Sequence, residues 1–147
     1  MSYHFPQMRA ALLGVCVFAV GVGAQTGKSF KTRLAPVPID VTMQATIAGS
    51  GTVTATLAGS KLTVAGTFEG LKSPATIAKL RKSPVRGVRG PDIYDLTVTQ
   101  ATAGSVSGAF DLTPQQVADL QAGRIYVQIN SERAPDGNLW GWLLEKR

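Results

Sequence analysis

Thr52-Val53-Thr54-Ala55-Thr56-Leu57-Ala58-Gly59-Ser60-Lys61-Leu62-Thr63-Val64-Ala65-Gly66-Thr67-Phe68 holds two runs in which apolar and polar side chains alternate, parted by Gly59-Ser60. Successive side chains of a strand point to opposite faces, so a period of two marks a strand with one buried side. The small residues between the runs are those that let a chain reverse. The same signal recurs in both directions. Upstream, from Ile39, the residues Val41, Met43, Ala45 and Ile47 alternate with Thr42, Gln44 and Thr46 and read as another strand. Downstream, strands are expected at Ala75 to Arg81, Asp92 to Thr99, Ser105 to Leu112, Arg124 to Asn130 and Asn138 to Leu144. Gly49-Ser50-Gly51, Ala103-Gly104 and Asp136-Gly137 punctuate them.

One segment departs from this rhythm. Thr113-Pro114-Gln115-Gln116 offers an N-cap threonine, a proline at the first helical position and a glutamine at the third, ahead of Val117, Leu120 and a terminal Gly123. It predicts one short helix near 113–121. About eight strands and one small helix make an all-β domain, an antiparallel sandwich or barrel, and periodicity does not choose between the two.

The N-terminus reads as an export signal. Arg9 precedes an apolar stretch from Ala10 to Ala24 that closes on Val22-Gly23-Ala24, the small residues needed beside a cleavage site. Cleavage is expected after Ala24, making residues 1–24 a signal peptide and the mature protein periplasmic or extracellular. No second apolar run is long enough to span a bilayer. Gln25 to Pro38, with Lys28, Lys31, Arg33, Pro36 and Pro38, reads as a basic extended lead-in outside the core, with the folded domain at 39–147.

The only cysteine and the only histidine of the 147 residues, Cys16 and His4, fall within the expected signal. The mature chain is therefore expected to fold without disulfides and to lack both nucleophile–histidine chemistry and nitrogen or sulfur ligands for copper, zinc or iron. Of the carboxylates, Asp92 and Asp95 are the nearest pair. Three residues apart on a regular strand they face opposite ways, so they are not expected to converge on one bond. No catalytic residue, metal site or cofactor is assigned.

Taken in order, Leu57-Ala58-Gly59-Ser60-Lys61-Leu62, Phe68-Glu69-Gly70-Leu71, Ser73-Pro74-Ala75-Thr76, Gly90-Pro91, Asp95-Leu96, Phe110-Asp111-Leu112-Thr113, Tyr126-Val127 and Asp136-Gly137-Asn138-Leu139-Trp140-Gly141 resemble a CHRD domain, the module named after chordin. The likeness runs from about Ile39 to Leu144. It implies an immunoglobulin-like or superoxide-dismutase-like β-sandwich and, as for most bacterial members, no established activity. Such members commonly carry three histidines where this chain has Lys79, Arg81 and Asn130. Ammonium and guanidinium groups have no lone pair to offer a metal at neutral pH, so the resemblance carries no metal function over to this chain.

Two features remain as candidate binding sites. Lys79, Arg81, Lys82, Arg86 and Arg89 form a run of five cations without an intervening acid, in a chain of net charge +6 that becomes +5 when Arg9, the one charged residue of the signal, is lost. They read either as an anion-binding patch or as a solvated strand and loop. An acidic polymer, an anionic envelope component or an acidic protein would suit the first reading, and export argues against nucleic acid. The second feature is aromatic. With Leu139 and Leu143 facing the core, Trp140 and Trp142 face outward, and Tyr126 is in opposite phase to Ile125, Val127 and Ile129, giving a contact platform. A one-residue shift would bury the tryptophans instead. The function expected is an exported, non-catalytic binding or structural domain; the alternative is a metal-handling or minor enzymatic protein of the superoxide-dismutase-like class.

Overall fold

The computed structural model describes residues 27–146, so the expected signal peptide and its cleavage site lie outside the described residues. Among the described residues nine strands occur: β1 Lys28–Pro36, β2 Ser50–Ala58, β3 Lys61–Glu69, β4 Ala75–Lys82, β5 Asp92–Val98, β6 Gly104–Asp111, β7 Ile125–Ser131, β8 Ala134–Trp142 and the two-residue β9 Leu144–Glu145. The α-helix α1 Pro114–Gln121 lies between β6 and β7. The strand order β2-β3-β6-β5-β4-β7-β8-β1 closes on itself because β1 also pairs with β2, and every pairing is antiparallel.

Two strands close the ring by changing partners along their length. β1 pairs with β2 through Lys28–Leu34 and with β8 through Ala35 and Pro36, while β5 pairs with β4 between Asp92 and Leu96 and with β6 at Thr97 and Val98. The result is an eight-stranded antiparallel barrel with β9 as an extra strand beside β1, rather than the immunoglobulin-like sandwich implied by the resemblance. Closure leaves no free edge in the main ring.

The alternating runs at 52–68 are β2 and β3, with Val53, Ala55, Leu57, Leu62, Val64 and Phe68 in the core. Gly59, at φ +63°, holds the first of the two positions inside the Ala58↔Lys61 pair. A tight hairpin whose twist matches its strands needs that conformation, and only glycine adopts it without strain. The helix is capped as its residues predict: the Gln116 amide donates to Thr113 Oγ1 at 3.2 Å and the Thr113 amide donates to Gln116 Oε1 at 3.0 Å. Leu120 anchors it in the barrel core.

Two expectations are corrected. The basic lead-in is not peripheral, because Lys28–Pro36 is strand β1, and its Phe30 and Leu34 are each 1% exposed in the core. Its cations Lys31 and Arg33 occupy the outward phase of the same alternation. Conversely, the strand expected at Val41 to Ile47 does not form. The Asp40 carboxylate accepts hydrogen bonds from the amides of Thr42 and Met43 and turns Val41–Met43 into one turn of 3-10 helix, leaving Val41 82% exposed. A side chain that satisfies backbone donors locally removes the incentive to pair them in a sheet.

Candidate functional site

The five cations of the basic run do not share one environment. Lys79 Nζ lies 2.9 Å from Asp92 and 3.3 Å from Asp95, and Arg81 Nε lies 2.9 Å from Asp92 Oδ1, a charge contact too bent to count as a hydrogen bond. Lys82 Nζ sits 3.0 Å from Asp119, whose side chain on α1 is almost fully buried. Hydrogen bonds from Lys79 to the carboxylates of Asp92 and Asp95 push its pKa above the usual lysine value. The strand-borne part of the cluster is therefore largely neutralised by acids from β5 and α1.

The convergence of Asp92 and Asp95 overturns the expectation that they face apart. The register pairs Lys79 with Asp95, Leu80 with Tyr94 and Arg81 with Asp92, so Ile93 is an extra residue in β5. A bulge shifts the phase by one and turns both carboxylates to the same face. Arg81 Nη1 also donates to Gln128 Oε1 at 3.1 Å, and Gln128 Nε2 donates to Asn130 Oδ1 at 2.9 Å. Lys79, Arg81 and Asn130 thus line one shallow cavity of about 140 Å³ with Asp92 and Gln128, tied together as a charge and amide network. Among the described residues no three His, Cys, Asp or Glu side chains are placed to hold a metal ion.

Leu139 and Leu143 are fully buried in the barrel core, which places Trp140 and Trp142 on its outside. Tyr126 joins them, its ring 4.7 Å from Trp142 and nearly parallel, while the two indoles meet edge to face at 4.7 Å. This trio is not an open platform. Tyr126 is fully buried, and the segment from Ser83 to Pro91 closes over it. The Gly90 amide donates to Tyr126 Oη at 3.0 Å, Trp142 Nε1 donates to Ser83 Oγ at 3.3 Å, and the Arg89 guanidinium lies 5.6 Å from the Trp140 ring centroid. A Cβ on Gly90 would come within 1.7 Å of the Lys82 carbonyl oxygen, so no other residue fits this fold of the loop.

Arg86 and Arg89, on this loop, have no carboxylate within ion-pair distance among the described residues. Arg89 donates instead to the Asp136 carbonyl. With Arg133, another cation without such a partner, it borders a second cavity of about 140 Å³ whose walls include Val37, Met43, Ile47 and Ala134. Asp136 stands in the same wall, its carboxylate free of any ion pair among the described residues. Sequence reading missed Arg133 because it is a single cation in the β7–β8 turn. Only the barrel brings it opposite Arg89, which lies far from it along the chain.

No curated protein and no solved structure matches the chain. A family model described as CHRD domain matches residues 30–143, reaching back through most of β1 and covering well over half of the sequence. Strands β2 to β8, the capped helix and the closing Asp136–Gly141 segment all fall inside that span, and the chain belongs to the CHRD domain family.

Proposed function

We propose that this CHRD domain is an exported, non-catalytic binding module that takes an anionic partner at the corner formed by Arg86, Arg89 and Arg133. The observation that carries the reading is the contrast within the basic run. Among the described residues Lys79, Arg81 and Lys82 have carboxylates in contact, whereas Arg86 and Arg89, three residues apart on one loop, have none, and Arg89 meets Arg133 at one cavity. A guanidinium keeps its charge at any physiological pH and offers several donors in a plane, which suits phosphate, sulfate and carboxylate groups. Export is supported by Arg9 and the apolar stretch from Ala10 to Ala24.

The test is retention of the mature domain on an immobilised polyanion such as heparin. R86Q/R89Q/R133Q is expected to elute at much lower salt than the wild type, and K79Q/R81Q/K82Q close to it. Equal losses in both variants would mean that binding follows overall charge, and unchanged retention of the first would remove these arginines from the site. N-terminal sequencing of the exported protein, expected to begin at or near Gln25, checks the compartment.

A further inference from the structure

The exposed large apolar side chains gather on two loops. Of the seven large hydrophobic side chains left exposed among the described residues, Ile39, Val41 and Met43 lie on the segment between β1 and β2, and Val85 and Val88 on the segment between β4 and β5. The remaining two, Ile77 and Leu144, stand elsewhere. Both loops reach the same place: Met43 and Ile47 from the first and Arg89 from the second wall the cavity that Arg133 completes. Isolated exposed apolar residues need no explanation, but five of seven on two loops that meet do.

The cations are interleaved with them. Arg86 stands between Val85 and Val88, Arg89 follows Val88, and Arg133 approaches from the β7–β8 turn. A soluble polyanion would engage the guanidinium groups and leave the valines in water. The cavity beside these loops, at about 140 Å³, is too small to receive a peptide helix or a drug-sized molecule. At the boundary of an anionic bilayer both classes of side chain are satisfied together: apolar tips enter the interfacial region while arginines remain at the level of the phosphates.

The loops are also held in shape. Asp40 caps the first through the Thr42 and Met43 amides, and Ser83 and Gly90 fasten the second to Trp142 and Tyr126. Preformed loops lose little conformational freedom on docking.

We propose that these two loops dock the domain on an anionic lipid surface, with Val41, Val85 and Val88 inserted at the interface and Arg86, Arg89 and Arg133 on headgroup phosphates. This rests on the anionic-partner reading above and adds the class of the partner. The experiment is co-sedimentation of the mature domain with vesicles of phosphatidylglycerol and phosphatidylcholine, or of phosphatidylcholine alone, at physiological salt. It is run beside the heparin column, with V41S/V85S/V88S and R86Q/R89Q/R133Q. The serine variant changes no charge and alters only exposed side chains, and thermal melting confirms that both variants fold.

The wild type is expected to pellet with the anionic vesicles about ten-fold more than with the zwitterionic ones, and each variant to lose about ten-fold. On heparin only the arginine variant should lose retention. Undiminished vesicle binding by the serine variant would overturn the lipid inference. Heparin retention without vesicle binding would also overturn it, leaving a soluble or proteinaceous anion as the partner. Failure to bind either would overturn the anionic-partner reading itself.

Discussion

The guanidinium of Arg89 lies over the indole of Trp140, 5.6 Å from its ring centroid, and joins the loop after β4 to the outer face of β8. A contact of this kind contributes about 0.5–1 kcal/mol at an exposed site. It therefore acts with the neighbouring hydrogen bonds rather than alone. The loop carries Arg86 and Arg89, which have no carboxylate partner among the described residues, and roofs the aromatic trio, so its attachment also positions those arginines.

Replacing Tyr126 by phenylalanine tests that attachment. The ring and its stacking on Trp142 remain, but Gly90 loses the acceptor for its amide. A loss of about 0.5–1.5 kcal/mol is expected in urea unfolding, together with faster hydrogen exchange at Gly90. Unchanged exchange at that amide would show that the loop is held by other contacts.

Leu34→Ala in β1 should destabilise the domain by about 2–5 kcal/mol, since it opens a cavity beside Phe30 and Val53 in the barrel core. Arg33→Ala, one residue away on the outward phase, should change stability by no more than about 0.5 kcal/mol. Removing the chain up to Pro36 would take β1 from between β2 and β8 and open the ring. If a chain beginning at Val37 unfolds at the same urea concentration as the full domain, β1 is not a structural strand.

Stability should be nearly level from about pH 5 to 9. Lys79 has a pKa above its ordinary 10.5, so its pairing is fully present below 10.5 and is lost as pH rises through the higher folded value. Asp40 is lowered below 3.8, mainly by the Thr42 hydroxyl and helped by the amides of Thr42 and Met43, so its contribution holds above 3.8 and fades as pH falls through the lower folded value. Thermal melts of the wild type and Lys79→Met should therefore differ by a constant amount from about pH 6 to 10 and converge above that. Convergence near neutral pH would contradict the pairing of Lys79 with Asp92 and Asp95.

Much of the fold was legible because alternation and turns are local. β2 to β8 and the capped helix lie close to where the apolar pattern and Thr113-Pro114 put them. β1 was hidden by lysine and arginine on its outward face, although Phe30, Thr32 and Leu34 already alternated with Lys31 and Arg33 and could have revealed it. The segment at 41–47 misled for the opposite reason: its alternation was real, but Asp40 diverts the backbone into a turn. At the site, the five cations and three aromatics were visible as residues, whereas their partners were not. Asp119 reaches Lys82 from α1, Arg133 meets Arg89 across the barrel wall, and one bulge residue, Ile93, brings Asp92 and Asp95 together. Such pairings depend on strand order and register, which period-two patterning does not encode.

An anion is expected to engage the arginine corner rather than the more densely charged strand β4. Backbone amide chemical shifts of the domain, followed during a titration with inorganic polyphosphate at low salt, locate the anion. The shifts are expected to cluster at Arg86–Gly90 and Arg133–Gly137, with Met43 at the shared cavity moving as well. Shifts centred on Lys79–Lys82 and Asp92 would contradict this expectation, because they would mean that the anion displaces the carboxylates from the strand.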